Sequence, residues 1–277
     1  ASYSRRWAQE GYVEGTFMDA NSYYIGAEKR FNAKHSIGLV GFGSSVYQGL
    51  MNPVFQEIYD LVGTNFYNPN WGLQNGVMRN TRVRRTHKPT AILTHYFKPN
   101  NSLEIQTSAY VNGGRGGVTR MNWFEAADPR PNYYRFLPSF FEEGSALQQQ
   151  VTFNWQNDIN TRQVDWDAMF NANRNNLYTV QNVDGIAGND FTGRRSKYII
   201  EEQRNDHVQY GFNTFFTKFL SPLTVLSGGV NVNIYRSRNY RQVHDLLGGD
   251  FWLDIDQFAE RDLQDPDLAV NNVDRPN

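Results

Sequence analysis

The 277-residue chain carries a formal net charge of -1, 39% hydrophobic and 15% aromatic residues, and a mean hydropathy of -0.64. A near-neutral charge argues against a nucleic-acid binder, which presents a basic surface, and the aromatic content is too high for a disordered chain. Lack of cysteine excludes disulfides and thiolate zinc sites, and no apolar run approaches the roughly 20 residues that a membrane helix requires.

In chain order, Ala1 to Ser4 reads as the tail of a strand, followed by a loop from Arg6 to Phe17. A first hairpin spans about 20–47, turning at Asn32-Ala33-Lys34-His35. Tyr23, Ile25, Ala27 and Phe31 share one face, interrupted by Lys29, and Ile37, Leu39 and Gly41 continue it. A second, cleaner hairpin spans 89–112 about the turn Pro99-Asn100-Asn101-Ser102. Leu103, Ile105, Thr107, Ala109 and Val111 carry one face; Glu104, Gln106, Ser108, Tyr110 and Asn112 carry the other. A third spans 207–240 about Ser221-Pro222, with Leu226, Val230, Val232 and Ile234 on one side. A period of two means that one face meets an apolar medium and the other meets polar surroundings. Phe31, Phe97 and Phe219 lie near the turns, where an interfacial aromatic girdle would sit.

Between the hairpins lie long connections, 48–88, 113–206 and 241–277. Asn52-Pro53 followed by Val54, Phe55, Ile58 and Tyr59, with Gly63 beyond, predicts a short helix. Asp165 predicts a helix cap with a helix through Asn173, and Asp256 another through Arg261. Gly113 to Gly117 predicts a flexible exit from the second hairpin. Short turns at one rim and long loops at the other are the arrangement of an outer-membrane barrel. The fold class expected is therefore all-β: one partial, antiparallel up-and-down transmembrane barrel over 1–277, with helices in its outer loops. Six or seven strands fall short of the eight at which single-chain barrels begin, so the chain is expected to be a piece of a larger wall.

Four strings of residues carry a family resemblance. They are Arg6-Trp7 with Glu10-Gly11-Tyr12-Val13-Glu14-Gly15-Thr16; Tyr59-Asp60-Leu61 with Gly63 through Gly72; Asp128-Pro129-Arg130-Pro131-Asn132-Tyr133-Tyr134-Arg135-Phe136-Leu137-Pro138-Ser139; and Leu247-Gly248-Gly249-Asp250-Phe251-Trp252-Leu253. Together they resemble the barrel region of Bacteroidetes-type TonB-dependent outer-membrane receptors. The resemblance implies a barrel of about 22 strands around a plug, a location in the outer membrane of a Gram-negative cell, and uptake of a scarce nutrient. It also implies, as partners, membrane lipid, the remaining barrel and plug, a periplasmic TonB-type energy coupler acting through that plug, and a surface lipoprotein. Plug and coupling box are missing from the sequence, and the cargo, whether siderophore, vitamin, glycan or peptide, is left open.

No enzyme is expected. His35, His87, His95, His207 and His244 lack metal-ligand spacing, no Gly-x-Ser-x-Gly elbow occurs, and no nucleophile and base can be nominated at one rim. The ligand candidates are Tyr67, Trp71, Trp123, Tyr133 and Tyr134 with Arg130, which offer faces for sugar rings or peptide side chains. Mutual burial that stiffens the loops is the competing account for them. Asp250, Asp254 and Asp256 open an acidic stretch whose hard oxygens suit Ca2+, although the spacing is not that of an EF-hand. The alternative function is a soluble or surface carbohydrate-binding β-module.

Overall fold

The computed structural model describes residues 1–254; Asp256 and the helix expected from it lie outside the described residues. The chain is mostly β, and its named strands all pair antiparallel. They are β1 (Ser2–Ala8), β2 (Met18–Arg30), β3 (His35–Gly49), β4 (Trp71–Gln74), β5 (Val77–Asn80), β6 (Val83–His87), β7 (Thr90–Asn100), β8 (Leu103–Trp123), β9 (Leu177–Val180), β10 (Phe191–Arg194), β11 (Tyr198–Ser221) and β12 (Thr224–Asp245). Eight of them form one meander in the order β1-β2-β3-β6-β8-β11-β12, in which β7 continues the place of β6 between β3 and β8. No closed barrel is formed among the described residues: β1 and β12 are the sheet's two free edges.

The turns follow from local chemistry. Asn32 Oδ1 accepts from the backbone N–H groups of Lys34 and His35 at 2.9 and 3.0 Å, and Asn100 Oδ1 accepts from that of Ser102 at 3.0 Å. Such side-chain mimicry of a backbone turn is what favours Asn there. At the opposite rim the strands run far past the expected hairpin ends. At about 3.3 Å per residue, the 24 residues of β11 extend roughly 80 Å, well beyond the 9 to 11 residues that a tilted strand needs to cross a bilayer. Loop 48–88 therefore contains β6, and loop 113–206 gives up both its ends to β8 and β11.

Gly113 to Gly117 is thus no flexible exit but the middle of β8. Its neighbours explain the glycines. The chain breaks between β6 and β7 at Lys88-Pro89, and the broken backbone leans on β8: a Cβ on Gly114 would meet the His87 carbonyl oxygen at 2.0 Å, and one on Gly116 the Lys88 side chain at 3.0 Å. The Gly113 N–H donates to the Pro89 carbonyl at 3.1 Å, which keeps the ladder joined across a residue that has no N–H of its own.

Register aligns the apolar residues that periodicity singled out. One line across six strands reads Ala27, Leu39, Leu93, Ala109, Phe212 and Val232; the next toward the long loops reads Ile25, Gly41, Ala91, Val111, Tyr210 and Ile234. Toward the turns, His35, Phe97, Ile105, Phe216 and Gly228 share a line. These side chains have no protein cover: Leu39, Leu93, Phe212 and Val232 are 47–53% exposed. Phe219 pairs with Val225 on the opposite face, so Phe216 takes the place beside Phe97 that Phe219 was expected to fill. The opposite face carries Glu28, Gly38, Thr94, Ser108, Asn213 and Asn231 on one line, with a hydrogen bond of 3.0 Å between the Thr94 and Ser108 hydroxyls.

The buried core sits in the loop layer at the long-loop end. Helices α1 (Gln56–Val62), α2 (Ala146–Asn157), α3 (Ile159–Arg162) and α4 (Trp166–Arg174) pack in three small clusters. Ile58, Tyr67, Leu137 and Trp155 tie the 48–82 connection to α2; Val164, Trp166, Met169, Ile200 and Leu247 seat α4 on β11; Val180, Phe251 and Leu253 hold β9 and β10 to the segment after β12. Asp165 caps α4 as expected, accepting from Ala168 N at 2.8 Å. α1 starts at Gln56 rather than at Pro53, because Phe55 is still extended (ψ 149°), and it ends as expected at Gly63 in the left-handed region (φ 75°).

Candidate functional site

The six ligand candidates divide. Tyr67 is 5% exposed, packs edge-on against Trp155, and donates to the Arg162 carbonyl at 2.6 Å. Burial pushes its phenol well above the usual tyrosine range, so it stays a neutral donor. Trp71 lies over Gly15, where a Cβ would come within 2.1 Å of the indole, and its carbonyl accepts from Val164 N at 2.9 Å. Both residues brace the loop layer. Gly15 sits in the left-handed region (φ 71°) with no room above it, which doubly requires glycine there.

The strings around them are architectural. Asn80 Nδ2 donates to the carbonyls of Gly15 and Leu50 at 2.7 and 3.0 Å, and Asn70 Nδ2 to that of Leu50 at 3.2 Å. Asn68 Nδ2 reaches the Glu14 carbonyl at 3.0 Å. Three asparagines thus satisfy carbonyls of chain that has left the ladder, as buried polar backbone demands.

Trp123 and Arg130 meet. The Arg130 guanidinium lies 5.1 Å from the Trp123 ring centroid, held by Asp128 through Nε at 2.9 Å. Beside them opens a cleft of about 320 Å³, lined also by Asn52, Asn70, Arg82, Arg120 and Asn122, of which Arg120 and Asn122 are held by Glu201. An indole face with amides and guanidinium groups around it suits a hydroxyl-rich or anionic ligand. Tyr133 and Tyr134 meet each other edge to face at 4.8 Å and extend into Phe136 and Phe140, with the Arg135 guanidinium 5.7 Å from Tyr134 and 5.9 Å from Phe140. Tyr134, Phe136 and Phe140 are each 42–50% exposed. Arg135 Nε donates to the Tyr134 hydroxyl at 3.0 Å and holds that phenol below the usual tyrosine range. Phe136, Phe140, Arg82, Arg120, Asn52 and Asn122 were not among the ligand candidates read from sequence; only the density of aromatics from Tyr133 to Phe141 marks the first two.

No family model, curated protein or solved structure matches the chain. The resemblance to TonB-dependent receptors therefore rests on the four strings alone, in which Gly15, Asn68, Asn70, Tyr67 and Trp71 serve loop architecture whereas Trp7, Tyr12, Phe66, Tyr134 and Phe136 are exposed.

Asp250, one of the three acidic candidates, is engaged by Arg194. Its carboxylate accepts from Arg194 Nη2 at 2.6 Å and from the Arg194 backbone N–H at 2.8 Å, and these bonds lower its pKa to about 2. Asp254 is exposed, and Asp256 lies outside the described residues. Among the described residues no group of three or more His, Asp or Glu side chains is arranged to hold a metal ion. A depressed pKa means that the clasp contributes at every pH above the ordinary carboxylate range and is lost as the pH falls through about 2. Amide protection at 191–194, taken relative to intrinsic exchange at each pH, is accordingly expected to stay high from pH 7 to about 4 and to fall below that; Asp250→Asn should show low protection at all these values.

Proposed function

We propose that the sheet is a stretch of wall in an outer-membrane transport barrel of the TonB-dependent type, with the loop layer on the outer side capturing a scarce nutrient. The observation that supports this reading is the register-aligned apolar band: side chains of six consecutive strands, half exposed, ending at a common level on one face, with a polar face behind it. A water-soluble sheet buries such a face against a second layer. Here the hydrocarbon of the bilayer takes that place, and the polar face lines the lumen. Further strands pairing with the edges of β1 and β12 would complete a wall of about 22 strands around a plug, because an open edge leaves amides unsatisfied in lipid. Energy for uptake would come from a periplasmic coupler acting on the plug, and a surface lipoprotein over the loops is compatible with the same arrangement. The Trp123 and Arg130 cleft and the Tyr134–Phe140 strip are the ligand-facing surfaces that this reading nominates, on aromatic and hydrogen-bonding character that suits glycans or peptides.

No cysteine occurs in the chain, so single cysteines carrying a polarity-sensitive dye can be introduced cleanly. In lipid nanodiscs, dye at positions 39, 93, 212 and 232 is expected to report hydrocarbon, and at 28, 38, 213 and 231 water. Equal polarity at the two sets, or a chain that is monodisperse without detergent with its apolar set dry, would remove the membrane reading in favour of a soluble β-module.

A further inference from the structure

Two clefts share Arg130 in their walls and differ in character. The first, beside Trp123, is lined by the guanidinium groups of Arg82, Arg120 and Arg130 and by no carboxylate. Two of these cations are matched from outside the cleft, Arg130 by Asp128 and Arg120 by Glu201. Arg82 is exposed, and among the described residues no carboxylate lies within ion-pair distance of it. The cleft therefore holds a positive charge without a counter-charge. Asn70 and Asn122 turn their Nδ2 groups away, to the Leu50 carbonyl at 3.2 Å and to Glu201 at 2.9 Å, and their Oδ1 atoms receive no donor among the described residues. The second cleft, of about 300 Å³, lies between the 128–136 loop and α4. Pro129, Pro131 and Phe136 line it from the loop, and Ala168, Met169 and Ala172 from the helix. Ala168 and Ala172 stand one turn apart on one face, so their short side chains leave a notch floored by the buried Met169. The carboxylates at its edge are engaged, Asp128 by Arg130 Nε at 2.9 Å and Asp165 by the cap of α4.

We infer that the paired clefts bind the carboxyl-terminal end of an apolar peptide, with its carboxylate on Arg82 and an apolar side chain in the notch beside α4. The inference rests on the ligand-capture reading above and names the ligand class and the residues that select it. A guanidinium with free N–H donors suits a carboxylate through paired bonds. A main-chain N–H is the donor that Asn70 and Asn122 lack. An inorganic anion would use the first cleft alone, and a sugar acid would set hydroxyls against the prolines, alanines and Met169 of the second, at the desolvation cost of unpaired polar groups. A peptide end presents charge, amide and hydrocarbon in succession, which is the succession of surfaces across Arg130.

The test is equilibrium dialysis of the full chain in lipid nanodiscs against radiolabelled acetyl-Leu-Leu with a free carboxylate. Wild type is expected to bind it saturably, to bind its carboxyl-terminal amide roughly 10- to 100-fold more weakly, as loss of a charged hydrogen-bond partner does, and to bind acetyl-Ser-Ser about 10-fold more weakly for want of apolar burial. Arg82→Gln should bring acetyl-Leu-Leu down to the level of the amide, whereas Arg84→Gln, at an exposed arginine outside the cleft, should leave it unchanged. Ala172→Phe, which fills the notch, should erase the preference for leucine over serine and keep that for acid over amide. Absence of saturable binding, equal binding of acid and amide, equal losses in the two arginine variants, or competition by glucuronate as strong as by unlabelled peptide would each overturn the assignment; the last would leave a sugar-acid site. Dye at position 93 keeps the two readings apart. Hydrocarbon reported there in a chain without carboxylate selectivity sinks only this inference, whereas water reported there in wild type sinks the membrane reading itself.

Discussion

Leu93→Arg is expected to destabilise the lipid-inserted protein by about 2 to 4 kcal/mol, the range for a cation placed on the lipid face at the bilayer midplane. Leu93 lies on the line of Leu39, Ala109, Phe212 and Val232, four residues removed from the aromatic line at the turns and six from the line of Ser45, His87 and Arg115 above. The same change on the polar face at this level, at the exposed Asn231 (Asn231→Arg), is expected to shift stability far less. Urea unfolding in lipid vesicles, followed by the fluorescence of the chain's 6 tryptophans, measures both. Equal effects at 93 and 231 would show that the two faces do not differ in medium. If both were large, a dry core on either side of the sheet would be the better description.

Trp155→Ala is expected to cost about 3 to 5 kcal/mol within the loop layer, as removal of a fully buried tryptophan does. Trp155 is 0% exposed, fills the space between Ile58, Tyr67 and Leu137, and donates from Nε1 to the Phe136 carbonyl at 2.9 Å. Its loss leaves that carbonyl unpaired and opens the contact between the 48–82 connection and α2. The effect should be local. Amides of α1, α2 and residues 134–140 would exchange faster, while those of β7 and β8 keep their protection, since no residue of the oily band touches this cluster. Uniform loss of protection over the sheet would mean that wall and loop layer unfold as one unit.

Much of the wall was legible because a strand's period of two survives whatever lies beyond each face. The apolar sets read from Tyr23, Ile25 and Ala27, from Leu103 to Val111, and from Leu226 to Ile234 are the sets that register brings into line. What periodicity missed were the upper halves of the strands. From Arg115 and Asp206 upward both faces are wet or covered by loops, so alternation fades although the ladder continues. The glycine run at 113–117 misled for a related reason, since its cause is the neighbouring break at Pro89, which is 24 residues or more distant in sequence. In the loop layer, Asp165 and Gly63 announced helix ends through local hydrogen-bond needs. α2 gave no such signal beyond Ser145, because only Trp155 of its residues is buried. The Asn75-Gly76 pair, both with φ near the left-handed region, turns β4 into β5 and is the strongest short hairpin signal that went unused. The ligand candidates were the least legible. An aromatic that stacks on a sugar and one that braces a loop have the same composition, and only burial tells Tyr67 from Tyr134.

The break at Lys88-Pro89 falls between the apolar line of Gly41, Ala91 and Val111 and the line of Ser45, His87 and Arg115. β6 stands above it and β7 below, while β3 and β8 pass it without interruption. Glycines at 43, 114 and 116 face the joint, and side chains cross it through the Tyr23 hydroxyl and His87 Nε2 at 2.9 Å and through Lys88 Nζ, which donates to Asn205 Oδ1 at 3.2 Å. Under the proposed membrane reading, a load on the loop layer would travel mainly down the two uninterrupted neighbours, β3 and β8, and the strands below the break would hold their register while the part above leans.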